Sequence, residues 1–132
     1  MRKYIPLSVL CFGLACVGIP AHAQVNWQGG VSGDWLTGGN WDTTSVPLAS
    51  DDVFITDTGA SNMPTLTGPG AVAGNLYLGY GAGSFTSLGI SGGDLDITGT
   101  FAMSTNDGSG SLTMDSGGTL SAANASIAVG AP

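Results

Sequence analysis

From about residue 74 onward this chain echoes itself every 25 residues or so. A fixed period of that length restricts a sequence to stacked or radially repeated units. Ser91-Gly92-Gly93-Asp94-Leu95 returns as Ser116-Gly117-Gly118-Thr119-Leu120, an offset of 25. Leu76-x-Leu78-Gly79 returns as Phe101-x-Met103-Ser104 at 25, and then as Ile127-x-Val129-Gly130 at 26. Gly83-Ser84-Phe85-Thr86 returns as Gly110-Ser111-Leu112-Thr113 at 27, which predicts one lengthened turn and one shortened by the same amount.

The runs inside each period alternate, and none has the three-and-four spacing of an amphipathic helix. Leu76-Tyr77-Leu78, Leu95-Asp96-Ile97, Phe101-Ala102-Met103, Leu112-Thr113-Met114 and Ile127-Ala128-Val129 each place apolar side chains on one face of a strand. Glycine pairs and Asn106-Asp107-Gly108 punctuate them. The pattern predicts an all-β chain, a parallel β-helix or solenoid with coils of about 25 residues. Three short strands per coil would each rest on their equivalents about 4.8 Å away. A shift of 25 sets Thr119 over Asp94, Ser121 over Asp96, Asp107 over Ala82 and Asp115 over Ile90. No carboxylate meets another in that register, as stacking of like charges would require.

Charge sets the limits on function. Arg2, Lys3 and His22 are the only cationic side chains, both cysteines (Cys11 and Cys16) lie in the same stretch, and there is no glutamate. After Ala23 the ionised side chains are nine aspartates: Asp34, Asp42, Asp51, Asp52, Asp57, Asp94, Asp96, Asp107 and Asp115. Residues 1–23 read as a secretory signal: a basic start, an apolar run from Tyr4 to Ile19, and Ala21-His22-Ala23 as a small-x-small site with cleavage between Ala23 and Gln24. Two alternatives are a membrane anchor, for which the run is short, and a lipoprotein, from Gly13-Leu14-Ala15-Cys16. Cleavage leaves 109 residues, one domain's worth, and moves the formal charge from −7 to about −9. No disulfide can brace that product. It would repel phosphate backbones and anionic lipid, so neither nucleic acid nor membrane insertion is expected.

The stretch before the repeats has its own pattern: Asn26-Trp27, Gly33-Asp34-Trp35, Gly39-Asn40-Trp41, Val46-Pro47 and Asp51-Asp52-Val53-Phe54-Ile55. This order resembles the opening segment of large secreted bacterial β-solenoid proteins, including autotransporter passengers with associated β-strand repeats. The resemblance covers roughly residues 25 to 55 and implies that residues 24–73 form an N-terminal cap or first coil. Residues 74–132 would then be solenoid repeats, about two coils, ending as a third begins. Such proteins usually continue much further, so a truncated product or a fragment is expected, marginal in stability and prone to self-association through its open end. The resemblance also implies an exported protein, secreted or held at the cell surface or outer membrane. Its role would be structural or adhesive, with host or matrix surface glycans or proteins as partners.

Catalytic constellations are few. Asp51-Asp52 and Asp94/Asp96 are the only paired carboxylates, and a glycosidase needs two about 5 to 9.5 Å apart. Leu95 and Ile97 should claim the inward face and turn Asp94 and Asp96 into water. A carboxylate-dependent polysaccharide-degrading β-helix enzyme, with its active coils further along, is the enzymatic alternative. No histidine or lysine follows Ala23 to activate a serine, and no thiol or imidazole remains for zinc. No cofactor is expected. Structural calcium through oxygen ligands stays open, although Asn106-Asp107-Gly108-Ser109-Gly110 lacks the usual acidic register. Trp27, Trp35 and Trp41 belong to the capping motif and should pack as core, with a sugar-stacking platform as the alternative. Tyr77, between Leu76 and Leu78, should point outward, and with Tyr80 it is the candidate ligand contact.

Overall fold

The computed structural model describes residues 22–56, 59–115 and 117–128. The signal reading of residues 1–21, with Cys11 and Cys16, lies outside the described residues, as do Asp57, Ser116 and Val129. Nine strands follow one another: β1 (Gln24–Asn26), β2 (Asp52–Ile55), β3 (Thr65–Leu66), β4 (Ala71–Ala73), β5 (Asn75–Leu78), β6 (Phe85–Ser91), β7 (Asp94–Met103), β8 (Ser109–Asp115) and β9 (Thr119–Ile127). Every pairing between them is parallel, and the only helical element among the described residues is a 3-10 turn at Gly38–Asn40. Neighbours in a sheet are never neighbours in sequence unless a full winding separates them, and that is a β-solenoid.

The cross-section has three sides. One carries β1, β2, β5, the second half of β7 and the second half of β9. A second carries β3, β6 and β8. The third carries β4 and the first halves of β7 and β9. Val25, Val53, Leu76, Phe101 and Ala125 are stacked equivalents, with steps of 28, 23, 25 and 24 residues. Five rungs make about four turns. The winding therefore begins at Gln24, well before residue 74, and the expectation of about two coils plus a cap was too short.

Alternation produces the core. Odd positions of β7, even positions of β6 and their equivalents point inward, so Val53, Ile55, Leu66, Leu76, Leu78, Leu88, Ile90, Leu95 and Ile97 are all at 1% exposure or less. They stack as ladders along the axis, such as Ala71–Leu95–Leu120 and Leu66–Ile90–Met114. Each fully buried Leu or Ile contributes about 1.5–3 kcal/mol of burial.

Three register expectations are overturned. The 27-residue echo of Gly83-Ser84-Phe85-Thr86 does not set the stacking: Phe85 lies beside Ser109 and Leu88 beside Leu112, a step of 24. Asp115 accordingly lies beside Ser91, with Ile90 beside Met114. Likewise Phe101 lies beside Ala125, and Ile127 is the partner of Met103. Inward Leu88 and Ile90 fix the register, because sliding a strand changes which face every side chain occupies. Turn residues such as Gly-Ser recur without constraining it.

The 25-residue step is real on two sides and has a local cause. From Ala73 to Leu76 the chain advances three residues, but from Ile97 to Phe101 it advances four. The extra residue is a bulge at the corner around Thr98 and Gly99. Asn75 reads it: its Oδ1 accepts the Thr100 N–H at 2.7 Å, and its Nδ2 donates to Asp52 Oδ1 at 2.7 Å. Above the bulge, Thr119 and Ser121 donate their hydroxyls to Asp94 and Asp96, in the expected register.

The β1 end of the column is closed by the tryptophans. Trp41 stands edge-on to both Trp27 (centroids 4.9 Å apart) and Trp35 (4.8 Å). All three are core, with exposures of 6% or less. Trp41 Nε1 donates to the Trp35 carbonyl and Trp27 Nε1 to the Asn62 carbonyl. Asn40, wholly buried, holds the loop around them. Its Oδ1 accepts the N–H groups of Val31 and Ser32, and its Nδ2 donates to Ser32 Oγ and the Asp34 carbonyl.

Candidate functional site

The outward face of β2 and β5 carries an aromatic cluster. Val53 and Ile55 face inward on β2, so Phe54 between them faces out; Leu76 and Leu78 do the same for Tyr77. Phe54 and Tyr77 are register partners one coil apart, and their rings stack at 4.6 Å with planes 15° apart. Tyr80 comes from the turn after β5 and stands edge-on to both, at 5.8 Å from Phe54 and 5.7 Å from Tyr77. Its position depends on Gly79, whose φ of +68° is in the left-handed region that favours glycine. Ser84 Oγ donates to the Tyr80 carbonyl at 2.7 Å and fastens the same turn.

Stacked and edge-to-face geometry stabilises such rings by about 0.5–1.5 kcal/mol per pair beyond their burial. The cluster is thus pre-formed. Tyr80 is the most open member, at 41% exposure, while Phe54 and Tyr77 are half-buried. Asn26 and Ala102 continue the outward row on either side, and Asn26 is tied down by Asp42, which accepts both its backbone N–H and its side-chain amide. The arrangement offers ring edges and a phenol on a rigid wall, suited to contact with an amphipathic surface such as a sugar.

Tyr77 was legible as an outward residue and Tyr80 only as a candidate contact beside it, and the structure brings them together. Phe54 was missed as their partner. Its signal was the alternation Asp52-Val53-Phe54-Ile55, but its 23-residue spacing from Tyr77 precedes the stretch where self-comparison finds repeats. The three tryptophans are buried in the core, at 6% exposure or less, and do not form an exposed sugar platform.

The paired carboxylates serve as hydrogen-bond acceptors within the frame. Asp51, at 8% exposure, accepts the Leu48 N–H at 2.8 Å and closes a turn. Asp52 accepts from Asn75 and lies 3.2 Å from His22 Nδ1, a partly exposed pair of the kind that contributes little stability. Asp94 and Asp96 face outward, as expected, each under a hydroxyl of β9. Asn106 and Asp107 both have positive φ, +55° and +62°, and make the tight turn before β8. Among the described residues no three carboxylate, imidazole or thiol groups converge as a metal site.

Set beside known proteins, the chain matches no family model, no curated protein and no solved structure.

Proposed function

We propose that this chain is an exported segment of a cell-surface β-solenoid, structural and adhesive in role, that meets surface glycans or glycoproteins through Phe54, Tyr77 and Tyr80. The observation that carries the reading is the pre-formed aromatic cluster on the outer wall of a rigid column. The opening motif from Asn26 to Ile55 supports it, as does the apolar leader of residues 1–23 with its small-x-small end. A solenoid suits the task because each coil braces the next, so a wall residue keeps its position without a large globular core. Asp34, Asp42, Asp51, Asp52, Asp94 and Asp96 all act as acceptors in that brace. The function is accordingly placed on the aromatics.

The test has two arms. Cells expressing the chain should carry a product beginning at Gln24 that external protease removes. The purified protein should bind immobilised glycans or matrix glycoproteins, and Tyr80→Ala should weaken that binding at least several-fold while leaving the circular dichroism spectrum unchanged. A product kept inside the cell with its leader intact would sink the export reading. Equal binding by the parent and Tyr80→Ala would sink the contact.

A further inference from the structure

Two outward rows run side by side along the wall of β2, β5 and β7. One is Phe54, Tyr77 and Ala102, and the other is Asp52, Asn75 and Thr100. Asp52 and Phe54 stand two positions apart on one strand, both turned away from inward Val53. Their side chains therefore leave the wall about 6.5 Å from each other. The polar row is braced: Asn75 Nδ2 donates to Asp52 Oδ1 at 2.7 Å, and Asn75 Oδ1 accepts the Thr100 N–H. The Asp52 carboxylate is thus held beside the rings, its side chain at 30% exposure. It also makes the one contact, among the described residues, between a carboxylate and a side chain able to carry positive charge: His22 Nδ1 lies 3.2 Å from Asp52 Oδ1. Asp34, Asp42, Asp51, Asp94 and Asp96 accept instead from amide N–H groups and hydroxyls.

We infer that this wall takes an amine-bearing glycan, a polymer of unacetylated hexosamine, whose sugar rings lie on Phe54, Tyr77 and Tyr80 while an ammonium sits on Asp52. His22 occupies the ammonium's position in the free chain. The inference rests on the glycan-contact reading and narrows it to one substrate class. Charge decides among glycans. Past Ala23 the chain has nine aspartates and no cationic side chain, so an acidic sugar is repelled and a neutral one gains ring contact alone. An ammonium gains the carboxylate as well, and a charge-assisted hydrogen bond is the stronger kind. The partly exposed His22–Asp52 contact contributes little by itself and yields to such a ligand. Shape decides between sugar and peptide. The stacked rings of Phe54 and Tyr77 make a rigid surface two rungs long, which suits the apolar face of a pyranose with its amine at the edge. A lysine would have to freeze a flexible stem to place the same ammonium.

Isothermal titration calorimetry of the full chain with glucosamine hexamer and with N-acetylglucosamine hexamer tests this. The glucosamine hexamer should bind at least ten-fold more tightly. Asp52→Asn keeps the oxygen that Asn75 bonds and removes the charge. It should erase that preference with an unchanged β-sheet dichroism spectrum. Asp94→Asn removes the same charge from another side of the column and should change either affinity less than two-fold. That control separates a placed contact from general attraction. His22→Ala should tighten the glucosamine hexamer several-fold and leave the acetylated one unchanged. Equal affinity for the two hexamers, a preference that survives Asp52→Asn, or the same loss in Asp94→Asn would each overturn the inference while leaving the ring contact standing. Unchanged affinities in His22→Ala would overturn the placement of His22 on the ammonium's position. A lysine hexapeptide that binds as tightly as the glucosamine hexamer would overturn the choice of a sugar. Should neither hexamer bind, the glycan-contact reading falls as well.

Discussion

Asn40 shows how a single polar side chain can carry a closed end of this fold. It is wholly buried, yet both lone-pair directions of its Oδ1 and both hydrogens of its Nδ2 have partners. Asn40→Ala would leave the part-buried Val31 and Ser32 N–H groups without their acceptor and the Asp34 carbonyl with the Thr37 N–H alone, and an unpaired group away from water costs about 1–3 kcal/mol. The expected outcome is a loss of about 3 kcal/mol or more in urea unfolding, with tryptophan emission shifted to the red as Trp35 and Trp41 become wetted. Asn40→Asp should be harmful too, because a carboxylate cannot donate to Ser32 Oγ or the Asp34 carbonyl. A variant as stable as the parent would show that the loop from Val31 to Asn40 is held by other means. The motif Gly39-Asn40-Trp41 was readable as part of a cap, but the four bonds of Asn40 were not. They join residues six to nine positions apart through a loop with no periodicity.

At the level of strands, the ladders make one substitution mean different things one coil apart. Leu95 and Leu120 are register partners, yet Leu95 is at 1% exposure and Leu120 is half-buried. Leu95→Ala removes methyl groups from a closed column and should cost about 2–5 kcal/mol. Leu120→Ala should cost about 1 kcal/mol or less because water already reaches the half-buried site. Equal losses in chemical denaturation would mean that the last coil is covered. The strand pattern itself was largely legible in sequence: period-two runs such as Leu76-Tyr77-Leu78 fall on β5, and the hydroxyl-over-carboxylate register of Thr119 and Ser121 is met. What the letters misplaced was the step. Ladders follow the backbone register, which is 24 between β6 and β8 and 25 across the β7 bulge. The Gly-Ser echo at 27 records only that turns reuse the same small residues. The earlier coils escaped self-comparison because Val25, Val53 and Leu76 keep only their apolar character in common, spaced 28 and then 23 residues apart.

For the whole molecule, stacking makes stability a property of position along one axis. The strands of each coil pair only with those of the coils before and after it, so its resistance to opening is close to the sum of its own terms and those two interfaces. The middle rungs, β2, β5, β6 and β7, have neighbours on both sides, and the first has the tryptophan cap. Among the described residues the rung made by β8 and β9 pairs on one side, and its Leu112, Leu120 and Ile127 are half-buried or exposed. Native-state hydrogen exchange reports these local openings directly. Amide protection among the described residues should therefore be highest in β5, β6 and β7 and fall through β8 and β9. Uniform protection along the axis would instead make the column a single cooperative unit. Protection that is lowest at β1 and β2 would reverse the polarity, and the tryptophan cluster could not then be what holds the first rung.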